Sequence, residues 1–340
     1  MNAFDRYLVE STHDKKDRTE EIEALLLQNK AVLLGSGAFY VRGIRMPEGS
    51  TLAGLGDCTE LILSEEVESG CTVTMANRCT VKDLTLKDSD KEEFSRPETL
   101  GTRHGIGFIG NAVSTKDSDF QPKDGIVDGC RMYGFSGGGL FCLDSGYATD
   151  SSLCVNNCRM RFCGAGIYIS HFSEYHKFSN VHCNKNLYGC INNGGNNVFA
   201  GCSFDANTLG FLIDNSEGQS RNNAHGSCVG CTFNHTDHNQ GIGIKILNSA
   251  PGYVFSACQM YYSKIVVENS QGIQIANFNF GRGEEFYVKG GGVVRFSDCL
   301  FSAKPQFFVE DNSHVLVDGC YTKGGAAVSF PEKIDDTAAP

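Results

Sequence analysis

The chain contains no tryptophan, only 7 prolines among 340 residues, and no excess of positive charge. Its 29 lysines and arginines against 40 aspartates and glutamates give a formal net charge of −11, so it lacks a basic stripe that could neutralise phosphates. No apolar run approaches the roughly 18 residues of a membrane span, and the charged stretch 1–21 does not resemble a signal peptide. We therefore expect no nucleic-acid partner and no membrane partner.

Glycine and cysteine are abundant instead, with 40 and 16 copies. Glycine without a Gly-X-Y period indicates many tight turns. Cysteines without a recurring zinc-like CxxC spacing, in a chain of this length, favour reduced thiols packed in a core. We expect a cytoplasmic protein, or one assembled in the cytosol into a phage particle, with no cofactor and no metal.

A short segment recurs nine times between residues 127 and 322, and the fourth position of each copy is nearly always cysteine. These fourth positions, called anchors below, lie 20–29 residues apart. They are Cys130, Cys158, Val181, Cys202, Cys231, Cys258, Phe278, Cys299 and Cys320. A base period near 21 with occasional longer steps is typical of a solenoid whose rungs carry inserted loops.

Each repeat contains three short stretches in which apolar and polar residues alternate, separated by Gly, Asn and Ser. Three parallel strands per rung predict an all-β fold, a right-handed single-stranded parallel β-helix with three sheets around one core. A capping residue and an acidic first turn at 17–21 predict a short amphipathic helix that covers the open end. The expected boundaries are 1–30 for the N-terminal segment and helix, 31–330 for the β-helix and 331–340 for a tail.

Three motifs after this helix carry a resemblance to known proteins: GAFY at 37–40, MPEGSTL at 46–52 and GLGDCTEL at 54–61. This stretch resembles the entry of pectate-lyase-like right-handed β-helix proteins, which include phage tailspikes, polysaccharide lyases, glycoside hydrolases and inulin fructotransferases. The resemblance implies a poly- or oligosaccharide substrate but assigns no reaction, because the Asn-x-Asp, Asp-Asp, Gly-His-Gly and Arg-x-Lys series of polygalacturonases is absent. It also implies a homotrimer, which exposed apolar residues such as Phe308, Leu316 and Val328 would permit.

Stacking in register places equivalent residues of successive rungs about 4.8 Å apart, so outward-facing residues after the anchors form columns. On the middle rungs these columns bring together Arg159, Arg161, His182, Asn184, Asp205 and Tyr261. Arginine binds a sugar carboxylate in bidentate fashion, histidine exchanges protons near neutral pH, and aspartate serves as acid, base or nucleophile. We expect His182 and Asp205 to act in catalysis and Arg159, Arg161, Asn184 and Tyr261 to bind substrate. An ordinary solvated face is the competing interpretation.

Longer insertions lie on the same middle rungs, at 145–151, 172–176, 216–226 and 235–241. They add Glu174 and Glu217 as catalytic candidates, because functional residues often lie on loops over a rigid scaffold. A glycosidase needs two carboxylates, about 5 Å apart for retention or about 6.5–9.5 Å for inversion, so Asp205 would pair with Glu217, Glu174 or Asp214. A lyase instead needs a base such as His182 and a group that neutralises a uronate carboxylate.

Three functions remain open at this point. The first is an enzyme that cleaves or rearranges a glycosidic bond, as a hydrolase, a lyase or a fructotransferase-like protein. The second is a non-catalytic phage or prophage tail component that binds a glycan or builds a shaft, and the third is a structural solenoid without a ligand. An enzyme predicts two converging carboxylates or a base beside an arginine, whereas a binding module predicts exposed tyrosines without such a pair.

Overall fold

The computed structural model describes residues 7–11, 14–109, 123–143, 152–171, 173–216, 224–235, 241–249, 252–282 and 285–329. These residues coil as a right-handed parallel β-helix in which each rung contributes one strand to each of three stacks, called A, B and C in chain order. Every pairing between the strands is parallel, as in stack B, where Arg159 pairs with His182 and His182 with Ser203. The predicted fold class is confirmed.

The three stacks are built from short strands. Stack A comprises Tyr7–Val9, Ala31–Leu34, Gly125–Asp128, Leu153–Asn156, Lys177–Ser179, Asn197–Ala200, Gly226–Val229, Tyr253–Ser256, Ile273–Ala276, Val293–Ser297 and His314–Asp318. Stack B comprises Gly37–Val41, Arg131–Tyr133, Arg159–Arg161, His182–Asn184, Ser203–Asp205, Thr232–Asn234, Gln259–Tyr261, Asn279–Phe280, Leu300–Phe301 and Tyr321–Thr322. Stack C comprises Ile44–Met46, Gly70–Met75, Arg103–Phe108, Gly138–Cys142, Ala165–Ile169, Tyr188–Asn192, Leu209–Asp214, Gly241–Leu247, Ser263–Glu268, Glu285–Lys289 and Gln306–Val309. Two longer strands, Thr51–Leu63 and Thr80–Lys87, run through A and B and join them into one sheet.

The predicted capping helix spans Thr19–Asn29 and buries Ile22 and Leu26 against the end of the solenoid. The carboxylate of Asp17 accepts a hydrogen bond from the backbone N–H of Thr19 at 3.0 Å, which satisfies one free donor of the first turn. One feature differs from the expectation: a strand, Tyr7–Val9, precedes the helix and pairs with Ala31–Leu34 of stack A. None of the helices in the described ranges is long and apolar enough to cross a membrane.

The corner between stacks A and B explains the anchor motif. The residue before each anchor has a left-handed backbone, with φ between 51° and 65° in all nine rungs, which favours glycine and asparagine. The anchor cysteines are buried, and their thiols donate to the carbonyl two residues earlier, as from Cys158 to Asn156 at 3.1 Å and from Cys258 to Ser256 at 3.2 Å. All 16 cysteines are free thiols. The corner thus turns the residue after the anchor, such as Arg159 or His182, to the outer face.

Replacing a glycine at this corner should destabilise the fold through backbone strain alone, because an added Cβ has free space. Gly201 has φ +61°, and a Cβ added there would meet no atom within 4 Å. Gly201→Ala should therefore lower the free energy of unfolding by about 1–2 kcal/mol, the cost of a left-handed non-glycine residue. Ala257→Gly, at the equivalent position with φ 54°, is the matched reverse substitution and should not destabilise. Urea unfolding checks both, and an unchanged midpoint for Gly201→Ala would contradict this explanation.

The corner between stacks B and C is stabilised by buried asparagines that the sequence did not single out. The side-chain oxygen of Asn186 accepts from the backbone N–H of Cys163 at 2.8 Å, and Asn186 N–H donates to the side chain of Asn207 at 2.9 Å. Their amide groups donate in turn to the carbonyls of Met160 and Cys183, at 3.2 and 3.0 Å. Both side chains are buried, so this ladder holds the ends of the stack B strands in register.

The core lies inside the three stacks. Alternate residues of each strand point inward, so the centre of each three-residue B strand is buried, as for Met160, Cys183, Phe204 and Phe233. Phenylalanines of neighbouring rungs stack along the axis, with ring centroids 4.5 Å apart for Phe178 and Phe199. The period of two therefore sends the flanking residues of the same strands outward.

His176, which is buried, and His104, which is partly buried, should make the fold sensitive to acid. Nδ1 of His176 accepts the backbone N–H of Leu153 at 3.1 Å, and burial lowers the pKa of His176 from 6.5 to about 3. Nδ1 of His104 likewise accepts from Gly138 at 2.8 Å, and burial lowers its pKa to about 4. Both imidazoles are neutral in the folded state but protonated below pH 6.5 when the chain unfolds, so stability should decline as pH falls from 6.5 towards 4.

Chemical denaturation across this pH range tests the assignment. In His176→Asn the amide oxygen replaces Nδ1 as the acceptor but does not titrate, so the decline with pH should be shallower. The matched control is His314→Ala, which removes an exposed histidine of stack A and should leave the slope unchanged. Equal slopes in wild type and in His176→Asn would exclude His176 as a source of the acid sensitivity.

Candidate active site on the outer face of stack B

The outer face of stack B carries two columns of side chains in register. Column 1 contains Arg131, Arg159, His182, Ser203, Thr232 and Gln259, and column 2 contains Tyr133, Arg161, Asn184, Asp205, Asn234 and Tyr261. All these residues flank a buried central residue of their strand. The structure therefore places six of the eight residues expected from the sequence to act in catalysis or substrate binding on one face.

Asp205 is the carboxylate at the centre of this face. Its oxygens accept hydrogen bonds from the hydroxyl of Ser203, from the hydroxyl of Thr232 at 3.3 Å and from the backbone N–H of Asn234 at 3.3 Å. Burial raises the pKa of Asp205, but His182, Ser203 and the N–H of Asn234 outweigh burial and hold its pKa below the ordinary value. Asp205 is consequently ionised near neutral pH and is suited to act as a base, a nucleophile or a stabiliser of positive charge.

His182 is the titratable neighbour of Asp205. Its Nε2 lies 3.5 Å from Oδ2 of Asp205, an ion-pair distance that is longer than a well-formed hydrogen bond. The side chain is one-third exposed and lines a groove of about 320 Å³ with Arg131, Arg159 and Ser203. A histidine beside a carboxylate and open to a groove can exchange a proton with a bound ligand.

The arginines of the face differ in their partners. Arg131 forms an ion pair with Asp57, whereas Arg159 makes no ion pair with a carboxylate of the described residues. The guanidinium of Arg161 lies 5.2 Å from the ring centre of Phe162, and its Nε is shielded from solvent without a protein hydrogen-bond partner in the described ranges. Arg159, which also lines the groove, is therefore the cation best placed to receive an anionic ligand.

Asn184 and Tyr261 complete the face. Oδ1 of Asn184 is shielded from solvent and has no partner among the described protein atoms. The ring of Tyr261 lies over Gly281, where an added Cβ would stand 1.9 Å from Cδ1 of the ring. Asn184 is thus a candidate hydrogen-bond acceptor for a ligand hydroxyl, and Tyr261 is an aromatic surface three rungs from His182.

Glu174 lies elsewhere, which corrects the expectation that it pairs with Asp205. It belongs to the loop between the strands Ala165–Ile169 of stack C and Lys177–Ser179 of stack A, at a different corner of the coil. There its Oε2 accepts from Asn196 at 3.2 Å, it faces His225 across Gly195, and burial raises its pKa. Insertion length alone did not show which corner this loop approaches. Glu217, the other suggested partner, lies outside the described residues.

Asp214, the third suggested partner of Asp205, lies outside the two columns. Asp214 lies at the end of a stack C strand, where its carboxylate accepts from the N–H of Ser216 at 2.8 Å. Within the described ranges, no cluster of three or more His, Cys, Asp or Glu side chains has the arrangement of a metal site. Sequence reasoning missed Ser203 and Thr232, which orient Asp205, although their positions beside it in the columns were readable from the repeat.

No protein-family model and no curated protein sequence matches this chain. Solved structures do. The A-module of a mannuronan C-5 epimerase from Azotobacter vinelandii is similar with a TM-score of 0.63 and 13% identity, over 93% of this chain and 96% of that chain. The catalytic domain of a GH87 α-1,3-glucanase in complex with nigerose is similar with a TM-score of 0.61 and 12% identity, over 93% of this chain and 68% of that chain.

Tailspike protein 2 of an Escherichia coli O157:H7 bacteriophage gives a TM-score of 0.57 and 13% identity, over 93% of this chain and 47% of that chain. This chain therefore spans about half the length of that tailspike. At such identities the similarity establishes the architecture: the chain is a right-handed parallel β-helix protein.

Proposed function

We propose that this protein is a carbohydrate-active enzyme that cleaves a glycosidic bond of a poly- or oligosaccharide on the outer face of stack B. The observation that carries the proposal is the contact between His182 and ionised Asp205, 3.5 Å apart, together with the groove that His182 and Arg159 line. The proposal is supported by similar structures whose names include a mannuronan epimerase and a glucanase bound to nigerose.

Lyase-type elimination on a uronate sugar is the reaction that this arrangement supports best. Arg159 binds the carboxylate of the sugar, and His182 acts as the base that removes the proton from the adjacent carbon. The C–H electron pair becomes the new C=C bond while the C–O bond to the leaving sugar breaks with its electrons on oxygen. The imidazolium of His182, stabilised by ionised Asp205, then gives its proton to that oxygen and becomes neutral again.

A hydrolase is the alternative reaction within this proposal. It needs a second carboxylate about 5–9.5 Å from Asp205, and the described part of the two columns contains no other carboxylate. Glu217, which lies outside the described residues, is the remaining sequence candidate for that role, and its loop connects stack C to stack A as the loop of Glu174 does. A fructotransferase-like rearrangement would need the same pair of carboxylates.

A screen of the purified protein against uronate polymers, fructans and bacterial surface glycans tests the proposal. New reducing ends together with absorbance from unsaturated uronates are the expected result. Reducing ends without that absorbance would replace the lyase with the hydrolase. If neither reducing ends nor unsaturated uronates form but calorimetry shows binding to one glycan, the enzyme proposal is wrong and a phage-type binding module is favoured. The similarity to a tailspike is the observation that supports this alternative.

A homotrimer is proposed for the assembly, with the outer face of stack A between copies. Ile126, Val198, Val229 and Leu316 are 38–54% exposed on that face, and packing against a second copy would cover them. Of the three apolar residues that were expected to be exposed, Leu316 is exposed. Phe308 instead stacks on Tyr287, with ring centroids 4.6 Å apart, and Val328 packs against the core. Sedimentation equilibrium should give three times the chain mass, and a single-chain mass would contradict the proposal.

A reducing compartment or a phage particle assembled in one is proposed for the location. The support is that all 16 cysteines are free and most are buried, where burial raises the thiol pKa, for example of Cys71 and Cys163 to about 12. Thiol titration of freshly isolated, denatured protein should give 16 reactive groups per chain. A value lower by two or more would indicate disulfides and an oxidising environment.

A further inference from the structure

A chain excursion at residues 88–102 folds back over the corner between stacks B and C. At its start, the guanidinium of Arg103 donates to the carboxylate of Asp88 at 2.6 Å and to the Asp88 carbonyl at 2.7 Å. At its end, the N–H of Gly101 donates to the carbonyl of Ser136 at 2.7 Å. Both ends are therefore anchored to the solenoid, and the segment forms a wall beside column 2.

Phe94 is the aromatic residue of this wall, and its ring lies directly on Gly134. A Cβ at Gly134, where φ is +80°, would stand 2.1 Å from Cδ1 of Phe94, so glycine is what admits the ring. Phe94, Tyr133 and Phe162 line a groove of about 390 Å³. Its polar edge is formed by Lys87, Glu92 and Glu93.

The groove lies on the same outer face as the candidate active site, at the column 2 edge of stack B. Tyr133 is followed by Arg161, Asn184 and Asp205 in successive rungs, so Tyr133 lies three rung spacings, about 14 Å, from Asp205. Between them, Nε of Arg161 and Oδ1 of Asn184 are shielded polar atoms without a partner among the described protein atoms. A polymer that reached from Asp205 to Tyr133 would therefore cross the side chains of Arg161 and Asn184.

We propose that the groove formed by Phe94, Tyr133 and Phe162 is a second carbohydrate-binding subsite, which holds a pyranose ring of the substrate chain three rungs from the bond that reacts. The apolar face of the ring packs on the aromatic carbons, and its hydroxyls bond Glu92 and Glu93. Lys87 is paired with Glu60 at 2.5 Å, so the groove selects a ring face and hydroxyls and not a carboxylate. That the bound ring belongs to the polymer cleaved at Asp205 rests on the proposed function. That the groove binds a sugar ring does not depend on it.

The absence of tryptophan from the chain provides a direct binding test. Phe94→Trp, placed in a His182→Ala background so that ligand is not consumed, introduces one indole into the groove. Titration with size-graded neutral and uronate oligosaccharides should give a saturable change in its fluorescence. Phe308→Trp in the same background is the matched control, since Phe308 lies on stack C against Tyr287, and its fluorescence should not change. No change at Phe94→Trp with any oligosaccharide would overturn the subsite.

Kinetics separate the subsite from the enzyme proposal. Phe94→Ala should raise KM roughly three- to tenfold for long oligosaccharides and leave kcat and the KM of the shortest substrates nearly unchanged. Phe94→Tyr, which keeps an aromatic ring, should restore the wild-type KM. If the wild type cleaves a glycan and Phe94→Ala alters KM at no chain length, the subsite is wrong and the proposed function stands. If no glycan is cleaved but the titration saturates, the subsite stands and the enzyme proposal fails.

Discussion

Replacing His182 with alanine should lower kcat/KM by roughly 10²–10⁴-fold on the polysaccharide that the wild type cleaves, the range that a general acid–base residue contributes. The expectation follows from the geometry of the site, because His182 is the titratable side chain that touches Asp205 and opens into the groove with Arg159. The measurement is initial rates of wild type and variant at saturating and subsaturating glycan, so that kcat and KM are separated.

His314→Ala is the matched control, because it removes a histidine from the exposed side of stack A. Its rate should stay within a factor of two or so of the wild type, since it changes neither the fold nor the groove. Asp205→Asn should also lower kcat, because a neutral amide no longer stabilises an imidazolium at His182. Wild-type rates in His182→Ala would exclude this histidine from the chemistry and leave Asp205 to act with another group.

Replacing Phe211 with alanine should destabilise the fold by about 3–5 kcal/mol, the cost of a cavity left by a buried phenylalanine. Phe211 is fully buried in stack C, where its ring centre lies 5.0 Å from that of Phe199, 5.2 Å from Phe204 and 5.9 Å from Tyr253. Phe233 of the next rung lies 6.0 Å away, so the inward residues of three consecutive rungs meet at this one side chain. Urea unfolding followed by circular dichroism is the appropriate measurement.

Leu27→Ala serves as the control for this prediction, since Leu27 is 68% exposed on the capping helix and its truncation should cost no more than about 0.5 kcal/mol. Because each rung of a solenoid contacts mainly its neighbours, the loss in Phe211→Ala should appear first in the middle rungs. Equal stabilities for the two variants would contradict the assignment of Phe211 to a close-packed core.

The fold could be predicted because each anchor fixes a register. A buried anchor followed by an alternating triplet sends the residues after it outward, inward and outward, so Arg159, His182 and Asp205 were placed on the outer face from the sequence alone. The sequence also predicts the turn before each anchor, because Gly, Asn or Asp occupies the position that needs a left-handed backbone in most rungs. Ala257 has the same conformation without that preference, so position in the repeat outweighs residue type there.

The loops could not be predicted in the same way, because an insertion interrupts the register that gives the columns their order. Glu174 was therefore proposed as a partner of Asp205 although it lies at the corner between stacks C and A, and the excursion that carries Phe94 was not recognised as a wall of a groove. The sequence of this excursion offers only one aromatic residue, Phe94, in a mostly polar segment, and the residue it packs on, Gly134, lies 40 positions later. Likewise, the strand Tyr7–Val9 pairs across the capping helix, which no local pattern indicates.

The central claim is that the outer face of stack B binds and cleaves a glycan. Its most direct test is a crystal structure of His182→Ala soaked with the oligosaccharides that the wild type binds or cleaves in the glycan screen. The account predicts a sugar chain along column 2, with a carboxylate on Arg159 and the bond to be cleaved beside Asp205. A sugar bound at the corner with Glu174, or on the outer face of stack A, would contradict it. So would crystals that bind none of these oligosaccharides at saturating concentration.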